Sequence, residues 1–125
     1  MLWLLALRLS ECEDFSQRIH TVEKFIKQLA NNLTIAGIKA DYHSFWLLPI
    51  IVSHPELLVK KLQENNFDAS RGSTSLVVRE TSFNKDNIST ENAKHLMEHI
   101  VFLPIHKNFT ASELHRLAQS VDKFF

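Results

Sequence analysis

Glycine and cysteine are scarce in this sequence of 125 residues, which contains two glycines and one cysteine. Because Cys12 is the single thiol, the chain can form neither an internal disulfide nor a zinc site built from several thiolates. One cysteine also fits a reducing compartment, so we predict a cytoplasmic protein. With glycine only at Gly37 and Gly72, no glycine-rich loop can hold a phosphate and no Gly-x-Ser-x-Gly turn can present a catalytic serine.

An excess of charge of either sign is also missing. The chain has 14 basic and 14 acidic residues, a net charge of +0. Because a balanced surface does not attract nucleic acid or anionic lipid from a distance, we predict neither a nucleic-acid partner nor a membrane partner. The apolar start, "MLWLLALRL", is interrupted at Arg8, is too short to span a bilayer, and lacks the basic residues of a signal peptide.

The bulk composition is that of a globular protein, with 45% hydrophobic and 22% charged residues. We find no internal repeat and no linker rich in proline, glycine or serine, so we predict a single domain over residues 1–125. An amphipathic first helix is predicted after a capping box at Ser10 and Glu13, and it should end before Gly37. Its apolar positions are Phe15, Ile19, Val22, Ile26, Leu29 and Leu33.

The run "FWLLPIIV", residues 45–52, predicts a strand covered on both faces. Since Pro49 has no N–H, we expect an edge position or a bulge there. Ser53 and Glu56 predict a second capping box, with Pro55 in the first turn and Val52 packed against Leu57. The helix that follows should bury Leu58 and Leu62 and stop near Asn65-Asn66.

The second half of the chain predicts further alternation of strands and helices. Short strands are expected at 67–69, 74–79 and 101–103, and a short helix should bury Ala93, Leu96, Met97 and Ile100. Thr110 and Glu113 predict a third capping box before the last helix. The predicted class is therefore α/β (α+β), a small mixed or antiparallel sheet with helices layered on it.

The segment His95-Leu-Met-Glu98-His99 matches H-x-x-E-H, a pattern of zinc proteases. If Leu96 and Met97 face the core, both histidines point away from it, so we reject a protease and predict a solvated pair. The i, i+4 spacing would still allow a transition metal to bind adventitiously. Of the other histidines, His106 is the most interesting, but we assign no catalytic residue and no metal ligand.

Arg71 is the one candidate binding residue. It lies in a predicted turn beside serines and a threonine, where a guanidinium can hold a carboxylate or phosphate through two parallel hydrogen bonds. Ser73 and Thr74 would add hydroxyl donors, and Gly72 would let the backbone approach a ligand. The alternative is an ordinary solvated turn arginine.

Two stretches resemble the C-terminal small domain of fold type I aminotransferases that depend on pyridoxal phosphate, most closely the DegT/StrS group of sugar aminotransferases. They are "YHSFWLLPIIVSHPELLVKKLQENNFDASRG" and "AKHLMEHIVFLPIHKNFTASELHRLAQSVDKFF". The resemblance implies that the cofactor and its lysine belong to a large domain that these 125 residues do not include, so the chain alone should be inactive. It also implies that Arg71, with Arg79 as the fallback, binds a substrate carboxylate.

The partners follow from the same resemblance. The apolar start would pack against the missing large domain or a second subunit, so we expect a homodimer that buries Trp3, Leu5 and Leu7. The alternative function is a non-catalytic interaction or dimerisation module that has kept the fold.

Overall fold

A computed structural model describes residues 15–29, 33–71 and 90–125 of the chain. These residues form four helices and one three-stranded antiparallel sheet, which confirms the predicted fold class. In chain order the elements are α1 (Ser16–Ile26), β1 (Thr34–Ile35), β2 (Leu48–Ile51), α2 (Pro55–Glu64), α3 (Glu91–His99), β3 (Ile100–Leu103) and α4 (Ala111–Asp122). Within the described ranges, no helix has the length and apolar character needed to cross a bilayer.

The sheet has the order β1-β2-β3, and one of its faces carries the core. Alternate residues of β2 and β3 point to this face and are fully buried: Leu48, Ile50, Val101 and Leu103. They belong to one cluster with side chains of α1, α2 and α4. On the opposite face, Pro49, Ile51 and Phe102 are half-buried and Ile100 is buried, so among the described residues this face is only partly covered.

Pro49 lies in the central strand, and the expected edge position or bulge is not found. Its carbonyl accepts a hydrogen bond from Ala36 N–H at 3.0 Å, on the side of β1. Because the N and O atoms of one strand residue point to the same side, the missing proline N–H also lies on that side. There β1 has already ended at Ile35, so the β2–β3 hydrogen bonds remain intact.

Helix α1 buries a somewhat different set of residues from the predicted stripe. Val22 is buried as expected, but Phe25 is also fully buried, whereas Ile19 and Ile26 are half-buried. The helix ends at Ile26 and does not continue to Leu29. The Ser10 and Glu13 capping box and the apolar start lie outside the described residues.

Helix α2 begins one residue later than the capping box predicts. His54 is the N-cap, no side chain caps the helix, and Pro55 occupies the first turn as expected. Leu57 is exposed, so its predicted contact with Val52 is wrong. Leu58 and Leu62 are fully buried, which confirms the inward face of the helix.

Helix α3 and the strands around it depart from the prediction in their burial and extent. No residue of α3 is buried: Leu96 and Met97 are half-buried and Ala93 is exposed, so only Ile100 of the predicted face reaches the interior. Instead of a strand at 67–69, Ser70 alone bridges to β3, at Phe102. The predicted strand at 74–79 lies outside the described residues.

Helix α4 begins with the predicted capping box. Glu113 N–H donates to the Thr110 hydroxyl at 3.2 Å, and Thr110 N–H donates to the Glu113 carboxylate at 2.7 Å. These bonds from the Thr110 backbone and side chain, with help from Arg116, lower the pKa of Glu113 below its ordinary value. The carboxylate therefore stabilises the folded state above its ordinary pKa, and that contribution disappears as the pH falls through the lowered pKa.

We expect Thr110→Ala to lower the free energy of unfolding by about 0.5–2 kcal/mol, because the Glu113 N–H loses its acceptor and the Glu113 carboxylate loses the bond from the Thr110 hydroxyl. Ser112→Ala is the matched control. Ser112 is an exposed residue in the first turn of α4, so its replacement should change stability little. Urea unfolding measures both variants. The gap between wild type and Thr110→Ala should narrow in acid, and a gap that is constant with pH would contradict a role for the Glu113 carboxylate.

Candidate functional site

Arg71 lies where the chain leaves the edge of the sheet that β3 forms. Just before it, Ser70 pairs with Phe102 of β3: Phe102 N–H donates to Ser70 O at 2.7 Å, and Ser70 N–H donates to Phe102 O at 3.3 Å. This bridge holds the backbone before Arg71 against β3, beside the end of α3. Ser73 and Thr74 lie outside the described residues.

The Arg71 guanidinium joins two helix ends. It forms an ion pair with Glu56 in the first turn of α2, and Nη2 donates to the carbonyl oxygens of Glu98 at 2.6 Å and Met97 at 3.4 Å. The last carbonyls of a helix lack partners within the helix and carry partial negative charge, so a cation there is favourable. Arg71 is therefore not the solvated turn arginine of the alternative interpretation.

The hydrogen bonds of Arg71 leave part of its guanidinium unused. Its Nε atom is buried and has no hydrogen-bond partner among the described residues, although the side chain as a whole is 37% exposed. Glu56 is 68% exposed, and an exposed carboxylate is held weakly and exchanges readily with water. The site therefore presents a cation whose carboxylate partner is easily replaced by another.

Sequence reasoning missed Glu56 as the partner of Arg71, since it placed Glu56 in a capping box. The two residues are 15 positions apart, and their contact arises from how α2 packs beside the sheet. No local spacing signals such a pair. The substrate-binding role of Arg71, Ser73 and Thr74 stays a prediction.

Among the clefts elsewhere on the described surface, two have larger volumes than the one lined by the segment between β1 and β2. The larger, about 600 Å³, separates α1 from the segment that follows β1 and is lined by Ile19, Glu23, Ile26, Lys27, Ile38, Asp41, Tyr42, His43 and Phe45. The smaller, about 370 Å³, lies beyond the end of β3 and is lined by Trp46, Leu47, Asn66, Phe67, Asp68, Leu103, Pro104, Ile105, His106 and Phe109. Both are mainly apolar with a few polar groups, as ligand clefts commonly are.

His106 is the titratable ring of the smaller cleft. Its Nδ1 accepts a hydrogen bond from Asn108 N–H at 3.2 Å. Because an accepting nitrogen carries no proton, the neutral ring holds its proton on Nε2. The side chain is exposed, and no nucleophile is bonded to it in the part of the chain that the structure describes.

His95 and His99 lie side by side on α3, with ring centroids 4.1 Å apart. His95 is exposed and His99 half-buried. No group of three or more metal-ligating side chains occurs in the described ranges. The complete ligand set of a zinc protease is therefore not found among the described residues.

The described residues do not fit pyridoxal phosphate. The lysine that holds this cofactor needs an enclosed pocket with a partner for the pyridine nitrogen. Every lysine in the described ranges is exposed or half-buried. Lys27 borders the larger cleft, but its side chain is exposed, and Tyr42 beside it is 94% exposed. We therefore derive no step through the cofactor.

Comparisons with known proteins identify relatives by fold alone. No family model matches the chain, and no curated protein matches it. Among solved structures, an aminotransferase, TlmJ, from Streptoalloteichus hindustanus matches 86% of this chain with a TM-score of 0.63 and 14% identity. A sugar aminotransferase, CalS13, from Micromonospora echinospora matches 87% with the same TM-score and identity. This chain covers 30% of each of those proteins, so it shares the fold of one part of these aminotransferases.

Proposed function

We propose that the chain is the small domain of an aminotransferase-like protein, that it helps to close and shape the substrate site, and that it is inactive alone. The observation that carries this proposal is the fold, which matches two aminotransferases over most of this chain but over 30% of theirs. A shared fold is an argument by analogy.

The finer assignment rests on the sequence stretches that resemble the DegT/StrS group. On that assignment the longer protein uses pyridoxal phosphate, held by a large domain outside residues 1–125, and works in the cytoplasm. The apolar start of the chain would cover a neighbouring domain or the second subunit of a homodimer.

Within this proposal, Arg71 binds a carboxylate of the substrate, with hydroxyl donors from Ser73 and Thr74. Glu56 holds the guanidinium in place until the substrate arrives and is then replaced by the substrate's carboxylate. The carbonyl oxygens of Met97 and Glu98 keep the guanidinium oriented throughout. A planar guanidinium suits such an exchange, because it offers parallel donors to one carboxylate at a time.

Arg71→Ala in the longer enzyme is expected to raise KM for an acidic substrate about tenfold or more, since a hydrogen bond to a charged group contributes about 1.5–3 kcal/mol. Steady-state kinetics measure the change, and a neutral substrate should show a smaller one. Arg116→Ala is the matched control, because Arg116 is an exposed arginine on α4 that donates to Asn65 O at 3.3 Å. Unchanged kinetics in Arg71→Ala would remove the proposed role.

The function itself is tested on the polypeptide that cells make. An antibody against this chain should detect a protein roughly three times as long as 125 residues, in proportion to the 30% coverage of the two aminotransferases. The captured protein should transfer an amino group from an amino acid to a keto sugar. A captured protein of 14.5 kDa without this activity would contradict the proposal.

An interaction module is the second candidate, and one surface favours it. Large apolar side chains between β1 and β2 are exposed, namely Ile38, Tyr42, Trp46 and Leu47. Apolar groups gathered on one surface commonly mark a contact with another protein. Light scattering of the purified chain across micromolar concentrations shows whether it forms a stable homodimer. A homodimer, together with the finding that cells make this chain and not a longer polypeptide, would favour the interaction module.

A further inference from the structure

His95 and His99 occupy successive turns of α3 and project from the same side of the helix. The spacing i, i+4 is that by which two histidines of a helix bind one zinc ion. Their rings are 4.1 Å apart between centroids, with an angle of 35° between the ring planes. Because the two rings are this close and His95 is exposed, rotation of the His95 side chain can bring one nitrogen of each ring to the same ion.

The hydrogen bond of His99 leaves one of its ring nitrogens available to a metal ion. Its Nδ1 lies 2.7 Å from the backbone oxygen of His95. Since a carbonyl oxygen only accepts, Nδ1 must be the donor, and the neutral ring keeps an unprotonated Nε2. Metal-binding histidines usually have this arrangement, in which one ring nitrogen donates to a carbonyl and the other binds the ion.

The backbone that carries the pair is held by the rest of the fold. His99 O accepts a hydrogen bond from Val52 N–H at 2.9 Å, at the end of β2. Arg71 bonds to the carbonyl oxygens of Glu98 and Met97, so the last turn of α3 is fixed from two directions. The backbone that carries the pair therefore loses little freedom when the ion binds, and the ion orders mainly the exposed side chain of His95.

We propose that His95 and His99 form a binding site for one divalent transition-metal ion, in which the two imidazole nitrogens are the protein ligands. The described residues supply no third ligand, so water or a small carboxylate completes the coordination. The site should therefore exchange its ion and should not act as a structural zinc centre. Affinity should follow the ligand chemistry of imidazole, with Cu²⁺ bound more tightly than Ni²⁺ and Zn²⁺.

Calorimetric titration of the full chain with Ni²⁺ and Zn²⁺ tests the proposal, with the imidazole signals followed by NMR. We expect one ion per chain at the tightest site, with the signals of His95 and His99 shifting first. His95→Gln and His99→Gln should each lower the metal affinity of this site by at least about tenfold. Replacing a residue that only hydrogen-bonds a metal ligand already lowers affinity by about tenfold or more. His115→Gln is the control, because His115 is a single exposed histidine on α4.

Equal affinity in wild type and His95→Gln would overturn the proposal, as would first shifts at another histidine. Thermal unfolding of each variant without metal shows whether the fold is kept, which we expect because His95 is exposed. His99→Gln also loses the ring bond to His95 O, so the NMR signal of the His95 imidazole is followed in this variant as a second measurement. The metal concentration at which that signal shifts should be at least about tenfold higher than in wild type.

Discussion

Replacing Phe25 by alanine is expected to lower the free energy of unfolding by about 3–5 kcal/mol. Phe25 is 0% exposed and lies in the core cluster that joins α1 to the sheet and to α4. The substitution removes an aromatic side chain from contact with the core and leaves a cavity that the neighbours fill only in part. Against the 5–15 kcal/mol typical of a whole domain, such a loss is a large fraction of the stability.

Phe125→Ala is the matched control for this prediction, because the same side chain is removed at a position that is 60% exposed. It should change stability by about 0.5 kcal/mol or less, as surface substitutions usually do. Urea unfolding followed by circular dichroism measures both variants. Similar losses in the two would contradict the placement of α1 against the sheet.

Ile50→Asp is expected to leave the chain unfolded under conditions where wild type is folded. Ile50 is 0% exposed and points from the central strand into the core, so the new carboxylate would lose its water without gaining a partner. The cost is several kcal/mol, comparable with the total stability of a small domain. Circular dichroism and one-dimensional NMR detect the loss of the fold.

Ile51→Asp, at the next position along β2, is the control for the direction of the side chains. Ile51 pairs with Thr34 and Ile100 and is half-buried on the opposite face. Since successive strand residues point to opposite faces, this variant should keep the fold with a smaller loss of stability. Unfolding by Ile51→Asp together with tolerance of Ile50→Asp would mean that the register of β2 is shifted by one residue.

Features determined by a few neighbouring residues could be predicted from the sequence. The capping box of Thr110 and Glu113 is an example, because both partners lie within one turn and nothing distant competes with them. The same spacing at Ser53 and Glu56 failed, since Glu56 pairs with a distant guanidinium and α2 starts without a side-chain cap. A local spacing therefore allows a capping box, and tertiary contacts decide whether the capping box forms.

Features that depend on pairing between distant segments could not be predicted. Strand β1 is two residues long and carries no alternation, so its pairing with Ile50 and Ile51 has no signal in the sequence. Pro49 was expected at an edge, because the sequence does not tell which side of the strand lacks a hydrogen-bond partner. In the candidate site, the contacts of Arg71 with α2 and α3 come from the packing of the sheet, and no residue near Arg71 in the sequence signals them.

The central claim, that these residues form a small domain without the cofactor site, is tested most directly by reduction with borohydride in the presence of pyridoxal phosphate. Peptide mass spectrometry then counts the cofactor fixed to each lysine, with the urea-unfolded chain as the control. We predict weak labelling spread over the exposed lysines, no stronger than in the unfolded chain. Stoichiometric labelling of one lysine in the folded chain alone, at Lys27 beside the larger cleft for example, would contradict the claim.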